Sequence, residues 1–426
     1  MTKKTVLLIS CLVFLFCGCS KTNKNTVVFE VGGAPNEISF WEEIIKDFQQ
    51  QSGIKVEIIR QPTDTDQRRQ GLVVALKSNK NNPDVFLMDV AWISQFAASG
   101  WLENLDNYLK ADKVDTGIFF KNVINLSDKY NNNTIALPVY VDGGMLYYRK
   151  DLLNKYGFNN APVTWDQLIE YSLKIQKQER KTNPGFYGFV WQGAQYEGLI
   201  CSFIEFAGSN GGIIIKDNQI KINTPANIKT LGMLCDLIHI QKISPPNIFT
   251  EMKEEEVRTF FQQGDALFER NWPYAWSLHQ NDDSAVKGKV GLASVPHFAG
   301  NKSASTLGGW HIGISKFSDA KDLSWEFVKF TVSYETQKKL AMKLGWNPGR
   351  KDIYKDREIK QKFPHFSYLG NIFENLTPRP NLPYYTQISE IMQKHINSAL
   401  SGKTNPETAL KEAELEINNS IKRYLK

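Results

Sequence analysis

Short apolar runs alternate along the chain with segments in which apolar residues recur at helical spacing. An apolar run is typical of a buried strand, and recurrence every three to four residues is typical of an amphipathic helix. This strand–helix alternation predicts α/β domains with mainly parallel sheets. The predicted strands are 26–31, 54–60, 84–88, 145–149, 186–191 and 265–270, with an extended segment at 308–315, and the predicted helices are 38–51, 66–78, 165–178, 197–207, 228–240, 254–263, 321–332, 335–344, 385–400 and 406–424.

Two helix starts carry strong local signals. Thr164 and Gln167 have the spacing of a capping box, in which each side chain bonds the other residue's free backbone N–H. Asn405 is the expected N-cap of the last helix, and Pro406 suits its first turn. These signals fix where two helices begin, independently of the apolar pattern.

The first residues have the pattern of a secretory signal. Lys3 and Lys4 precede an apolar run over 6–17, which is too short to cross a bilayer as a helix. Gly18 and Cys19 at its end resemble a bacterial lipoprotein signal, in which the cysteine is lipidated. We therefore predict a signal peptide at 1–18, lipidation at Cys19 and a tether at 19–25, with an ordinary cleaved signal as the alternative.

Length, charge and cysteines narrow the possible classes of protein. The 426 residues suit two or three domains, and 42% hydrophobic with 23% charged residues indicates a folded chain. Lys plus Arg number 51 and Asp plus Glu 45, without a dense basic block, which disfavours nucleic-acid binding. Beyond the signal and Cys19, only Cys201 and Cys235 remain, and their apolar surroundings predict two separate thiols.

Motifs of enzyme chemistry are missing from the sequence. There is no HExxH metal motif, no GxSxG nucleophile elbow, no GxxxxGK[ST] phosphate loop and no GxGxxG after a strand. A glycosidase pair of carboxylates stays open, because such residues meet in space and not in sequence. We predict no catalytic residue, no metal and no cofactor.

Several stretches together resemble the extracellular solute-binding proteins of ABC sugar importers (family 1), closest to the trehalose- and maltose-binding proteins. The resemblance covers nearly all of 26–426. The stretches that carry it are RQPTDTDQRR at 60–69, PDVFLMDVAW at 83–92, PVYVDGG at 138–144, YYRKDLL at 147–153, GGW at 308–310, LGWNPGR at 344–350 and TPRP at 377–380.

The resemblance implies a periplasmic-binding-protein-like fold. Its two α/β lobes are joined by a hinge that the chain crosses three times, and the ligand lies in the cleft between them. We expect the crossings near 138–142, 310–316 and 352–362. Lobe one would be 26–139 plus 313–355, and lobe two 140–312 plus 356–426.

The residue types at the family's ligand positions suit a sugar. An aromatic ring can cover the apolar face of a pyranose, while carboxylates and arginine make strong hydrogen bonds to its hydroxyls. Asp89 and Asp142 also end apolar strands, where ligands of open α/β sheets gather. By position, the expected ligand residues are Glu37, Arg68, Asp89, Tyr140, Asp142, Trp272, Tyr274, Gly309, Trp310 and Arg379, with Trp191 and Glu197 as weaker candidates.

Some of these residues have a purely structural alternative. Glu37 could serve a helix N-terminus, and Arg379 between two prolines could form a structural ion pair. Arg68 competes with Arg69, and one of the two is expected to be solvated or salt-bridged. The remaining tryptophans, among them Trp346, are expected to pack within or between the lobes.

The resulting hypothesis is a monomeric, lipid-anchored extracytoplasmic receptor. It would deliver a disaccharide such as trehalose or maltose to ABC permease subunits by hinge closure, with no enzymatic step. The same scaffold holding another glycan or a sugar phosphate is the main alternative. A glycosidase and a surface adhesin without a small ligand are less favoured.

Overall fold

The computed structural model describes residues 25–33, 35–216, 219–363, 365–373 and 376–422. The predicted signal peptide, Cys19 and all of the predicted tether except Asn25 lie outside the described residues. No helix within the described residues has the length and apolar character needed to span a bilayer.

The predicted alternation of strands and helices is confirmed, with boundaries within a few residues of those expected. The strands are β1 (Thr26–Gly32), β2 (Lys55–Gln61), β3 (Val85–Asp89), β4 (Lys129–Tyr130), β5 (Asn133–Thr134), β6 (Leu137–Gly143), β7 (Met145–Arg149), β8 (Tyr187–Val190), β9 (Ile215–Lys216), β10 (Gln219–Ile220), β11 (Ala266–Asn271), β12 (Val290–Ala293) and β13 (Leu307–Ile314).

The α-helices fall where the apolar spacing predicts them, and several shorter helices were not predicted. They are Pro35–Ser52, Thr65–Lys77, Ile93–Ala98, Asp106–Ala111, Lys121–Val123, Lys150–Lys155, Trp165–Glu179, Glu197–Gly208, Pro225–His239, Glu254–Gln262, Ala275–His279, Lys321–Thr331, Tyr334–Leu344, Arg357–Lys362, Phe366–Phe373, Tyr385–Leu400 and Pro406–Ile421, with 3-10 turns at Thr116–Ile118 and Ile353–Lys355 and a π-turn at Ile124–Asp128.

The helix-start signals act as predicted. Thr164 accepts a hydrogen bond from the backbone N–H of Gln167, and the Gln167 side chain accepts from the Thr164 backbone, which completes the capping box. Asn405 caps the last helix by accepting from the N–H of Thr408. These local bonds satisfy backbone donors that a helix start leaves free.

Two sheets organise the molecule into two lobes. The larger sheet has the strand order β2-β1-β3-β13-β6, and the smaller has the order β12-β7-β11-β8. In the larger sheet β13 runs antiparallel to both of its neighbours, and in the smaller sheet β7 does so. We call the two parts the larger-sheet lobe and the smaller-sheet lobe. The fold class is confirmed, although neither sheet is purely parallel.

The chain passes between the sheets at two clear points. β6 ends in the larger sheet at Gly143 and β7 begins in the smaller sheet at Met145. The return lies between β12 and β13. The predicted boundaries between the lobes, 139/140 and 312/313, fall inside β6 and β13, which both belong to the larger sheet. Lobe boundaries at 144, between β6 and β7, and within 294–306, between β12 and β13, agree better with the strand pairing.

The first helix illustrates how the larger-sheet lobe is packed. Its apolar residues Phe40, Trp41, Ile44 and Phe48 are all buried, and they share one face at helical spacing.

Both thiols, Cys201 and Cys235, are free.

Candidate functional site: an interlobe cleft

A cleft of about 600 Å³ lies between the two lobes and is lined by residues from both. This volume is within the usual range of small-molecule sites. Every residue that the family resemblance assigned to the ligand lines this cleft. They are Glu37, Arg68, Asp89, Tyr140, Asp142, Trp272, Tyr274, Gly309, Trp310 and Arg379.

Strand register brings the polar residues of the larger-sheet lobe together. Trp310 on β13 is paired with Asp89 at the end of β3 on one side and with Tyr140 on β6 on the other. Asp142 pairs with Gly308, two residues further along the same ladder. Residues that are far apart in sequence therefore meet at one edge of the sheet, as expected for the carboxyl ends of strands in open α/β sheets.

The smaller-sheet lobe supplies an aromatic wall. Trp272 follows β11 directly, and its indole N–H donates to Glu254 Oε1 at 3.4 Å. The Tyr274 hydroxyl donates to Glu255 Oε1 at 2.6 Å. Both acceptors lie in the first turn of the helix Glu254–Gln262, which thereby positions the wall.

An arginine covers one face of each of two cleft tryptophans, Trp310 and Trp272. The Arg68 guanidinium carbon lies 3.5 Å from the ring centroid of Trp310, and that of Arg270 lies 4.0 Å from the ring centroid of Trp272. These distances are typical of cation–π contacts. One face of each indole is therefore already occupied by protein.

Arg379 forms the ion pair that was weighed as its structural alternative. Its guanidinium contacts Asp89 Oδ1 at 2.7 Å and Glu197 Oε1 at 3.0 Å. Glu197 also accepts hydrogen bonds from Tyr385 at 2.6 Å and from Ser389. Glu197, a weaker candidate, thus lines the cleft but is occupied by these protein partners.

Several polar atoms of cleft-lining residues have no hydrogen-bond partner among the described residues, and those on Glu37 and Arg68 are of opposite charge. Among the described residues, neither Glu37 Oε1 nor Arg68 Nη2 has a partner, although both side chains are at least nine-tenths buried. Burial raises the pKa of Glu37 to about 7, against the lowering effect of the Arg68 charge. Such buried groups are costly unless something pairs with them.

The pKa of Asp142 is raised in the same way as that of Glu37. Burial raises its pKa to about 7, and the charge of nearby Asp89 contributes in the same direction. Glu37 and Asp142 therefore both titrate near neutral pH while they face the same cleft.

The cleft carries more acidic than basic side chains. Arg68, Lys253, Arg258 and Arg379 are the basic groups among its described lining residues. Most of them are paired, for example Lys253 with Asp64 at 2.7 Å. The acidic groups are Glu37, Asp64, Asp89, Asp142, Glu197, Glu254, Glu255 and Glu256.

Only the structure shows which of Trp191, Arg69 and Trp346 line the cleft. Trp191 was a weaker ligand candidate, but it is fully buried in the core, where its indole N–H donates to Ser244 Oγ at 3.2 Å. Arg69 forms the expected salt bridge, to Glu390 at 2.9 Å, which leaves Arg68 for the cleft. Trp346, predicted to be packing only, also lines the cleft and contacts Tyr140 with ring centroids 4.5 Å apart.

Sequence reasoning missed the acidic turn at 254–256 and Tyr196, which also line the cleft. Three glutamates at a helix start favour the helix dipole wherever the helix lies, so the pattern carries no information about a cleft. The signal that could have found the acidic turn is its place on the helix Glu254–Gln262, which directly precedes β11 and Trp272.

A two-lobed molecule with a polar and aromatic cleft between its lobes is a binding protein in architecture, and comparisons identify its class. Residues 34–338 match the family model described as bacterial extracellular solute-binding protein. A probable ABC transporter-binding protein of Deinococcus radiodurans is 31% identical over 411 residues, which are 95% of this chain and 96% of that protein. The chain belongs to this family of solute-binding proteins.

Solved structures agree with this assignment. Maltose-bound MalE3 of T. maritima is 39% identical with a TM-score of 0.87, over 92% of this chain and 99% of that one. A solute-binding protein of Thermotoga lettingae bound with alpha-D-tagatose is 29% identical with a TM-score of 0.81, over 92% and 99%. The expected fold and the resemblance to ABC sugar-importer receptors are confirmed, and so is the expectation of a transport component and not an enzyme.

Proposed function

We propose that this protein is an extracytoplasmic receptor for a neutral disaccharide, trehalose or maltose, which it delivers to an ABC import permease. The proposal includes lipid anchoring at Cys19, a monomeric state and ligand contacts from the ten predicted cleft residues. The similarity to a maltose-bound protein at 39% identity supports a glucoside as the ligand.

The observation that carries the proposal is the pair of unpartnered groups on Glu37 and Arg68. Arg68 Nη2 offers a donor and Glu37 Oε1 an acceptor to the same cleft. A hydroxyl both accepts and donates, so a polyhydroxyl ligand matches both groups. A phosphate could accept from Arg68 but would face the excess of carboxylates, which disfavours the sugar-phosphate alternative.

Hinge closure is the proposed mechanism. Trp310, Asp89 and Arg68 belong to the larger-sheet lobe, while Trp272 and Tyr274 belong to the other. A ligand can touch both sets only when the lobes are together, so binding shifts the population toward the closed form. The permease would then recognise the closed shape.

Titration calorimetry on the purified full-length chain tests the proposal. The panel contains trehalose, maltose, maltotriose, glucose and trehalose 6-phosphate. We expect an α-linked glucoside to bind with a Kd of about 1 μM or tighter, and the phosphate to bind more weakly. No heat with any of these glucosides would overturn the proposal.

Matched aromatic variants then test the cleft itself. Trp272→Ala should weaken the tightest sugar by roughly tenfold or more, because it removes a stacking face. Tyr171→Ala is the control, since Tyr171 packs against Phe158 with ring centroids 3.8 Å apart and does not line the cleft. Equal losses in both variants would argue against a sugar at the Trp272 wall.

A further inference from the structure

The arginine that packs on each cleft tryptophan is held by side chains that do not line the cleft. In the larger-sheet lobe, Gln61 accepts from Arg68 Nε at 3.3 Å and donates to Glu30 Oε1 at 2.6 Å. Glu30 is buried on β1, and Gln61 ends β2. Neither Glu30 nor Gln61 is among the residues that line the cleft.

The smaller-sheet lobe repeats this arrangement with different residues. Glu205 accepts from Arg270 Nε at 2.7 Å and from Nη2 at 2.6 Å, and Gln192 accepts from Nη1 at 3.0 Å. Arg270, Glu205 and Gln192 are almost completely buried. Each set thus contains one glutamate and one glutamine: Glu205 and Gln192 both bond Arg270 directly, whereas Glu30 is linked to Arg68 through Gln61.

We infer that these two sets of residues are positioning relays that set the orientation of the cleft tryptophans for the ligand. The larger-sheet relay is Glu30, Gln61 and Arg68, and the smaller-sheet relay is Glu205, Gln192 and Arg270. This inference deepens the proposed function, on which its ligand-binding part rests. Glu30, Gln61, Gln192 and Glu205 would act through an arginine, without touching the ligand.

Burial explains why such relays are needed. A guanidinium has several donors in a fixed plane, so the bonds to three nitrogens of Arg270 fix the orientation of its plane, whereas one bond at Nε and the ring of Trp310 restrain that of Arg68. The indole that packs on each plane is then restrained from tilting, so its other face keeps a fixed orientation. Preorganised side chains bind more tightly because less freedom is lost when the ligand arrives.

The two relays differ in one respect that assigns them separate roles. Arg270 is bound at Nε, Nη1 and Nη2, so it only supports Trp272. Arg68 is bound through Nε, and its Nη2 has no partner among the described residues. By bonding Arg68 Nε, Gln61 therefore directs Arg68 Nη2 toward the ligand, while the same guanidinium supports Trp310.

The test replaces Gln61 with methionine, which has similar length but lacks both polar atoms. With maltose as the probe, Q61M should raise the Kd by about tenfold, since a hydrogen bond to a charged group is lost. Gln176→Met is the matched control, because Gln176 is a buried glutamine that bonds Gly188 N and Lys242 O. Q176M should lower the melting temperature without changing the maltose Kd.

A double-mutant cycle separates positioning from general destabilisation. In an Arg68→Met background, Q61M should have no further effect on the maltose Kd if Gln61 acts through Arg68. An unchanged Kd in the single Q61M variant, or equal Q61M effects with and without Arg68, would overturn the inference.

A spectroscopic readout keeps the inference testable without a sugar. Q61M should alter the near-ultraviolet circular dichroism of the ligand-free protein, and this change should disappear in a Trp310→Phe background. If maltose fails to bind the unmodified chain but this spectral coupling is present, the choice of ligand is wrong and the relay stands. Absence of the coupling overturns the relay whatever maltose does.

Discussion

Two carboxyl groups that line the cleft, those of Glu37 and Asp142, determine how it responds to protons. The ordinary pKa values of 4.5 for Glu37 and 3.8 for Asp142 are both raised to about 7 by burial. Between the ordinary and the raised values the folded protein holds more protons than the unfolded chain. These two groups therefore make the free energy of unfolding fall as pH rises from about 4 to 7.

Sugar affinity should have the opposite pH dependence. Hydroxyl donors favour the ionised carboxylates, so binding releases protons, and affinity should rise by about tenfold or more between pH 5.5 and pH 8. Calorimetry in buffers of different ionisation enthalpy measures the released protons directly. Glu37→Gln should flatten part of the profile, whereas an affinity independent of pH with no proton release would contradict the assignment.

Residue types and family positions predicted which side chains face the cleft, but not what those side chains contact. Arg68 and Arg69 are adjacent in sequence, and only the direction of each side chain sends one to Trp310 and the other to Glu390. Arg379 could equally have met ligand or protein. Partner choice between distant segments depends on packing, which a single sequence does not encode locally.

At the scale of elements, β13 is the strand that assembles the site. Its register with β6 shifts between Trp310 and His311, next to Gly309 with φ of +122°. A Cβ at Gly309 would lie 2.3 Å from the Tyr140 carbonyl oxygen. The close approach of β13 to β6 at this point therefore requires glycine.

Gly309→Ala should destabilise the protein by about 2 kcal/mol or more, because the backbone must move away from Tyr140. Urea unfolding followed by circular dichroism measures the change. Gly71→Ala is the control, since a Cβ at Gly71 on the helix Thr65–Lys77 meets nothing within 4 Å. That control should be neutral or stabilising by up to about 1 kcal/mol, and a similar loss in both variants would refute the argument.

Elements were more predictable than their connections. The capping box at Thr164 and the apolar spacing of the first helix depend on neighbours within a few residues, so the sequence pattern shows them directly. The antiparallel insertion of β13 between β3 and β6 has no local signal. The sequence predicted 308–315 only as an extended crossing, and the predicted lobe boundary at 312 lies inside β13.

At the scale of the whole molecule, ion pairs join the lobes beside the cleft. Arg69 on the helix Thr65–Lys77 pairs with Glu390 on the helix Tyr385–Leu400 at 2.9 Å. Asp64, the N-cap of that same helix Thr65–Lys77, pairs with Lys253 at 2.7 Å. In the proposed hinge opening both pairs would break, so they would favour the closed form even without ligand.

Removing both pairs should open the ligand-free protein. The double variant Arg69→Gln, Lys253→Gln should have a larger radius of gyration in small-angle scattering. Because each pair is partly exposed, each contributes at most about 1 kcal/mol, so loss of both should lower the sugar affinity by about thirtyfold or less.

Lys394→Gln is the matched control for this prediction. It breaks the pair of Lys394 with Glu416 at 2.9 Å, which joins two helices of one lobe. Scattering of this control should equal that of the unmodified chain, and high salt should reproduce the opening. An unchanged radius in the double variant would show that the pairs do not hold the lobes together.

The place of β13 in the larger sheet also determines when the protein can first function during its synthesis. Asp84, just before β3, accepts a hydrogen bond from Ser318, 234 residues further along the chain. A growing chain therefore exposes the apolar edge of β3 until the segment that covers it has been made, which leaves it open to aggregation. A nascent fragment that ends before Arg379 cannot contain the complete cleft. Ligand binding therefore requires synthesis of the C-terminal part of the chain.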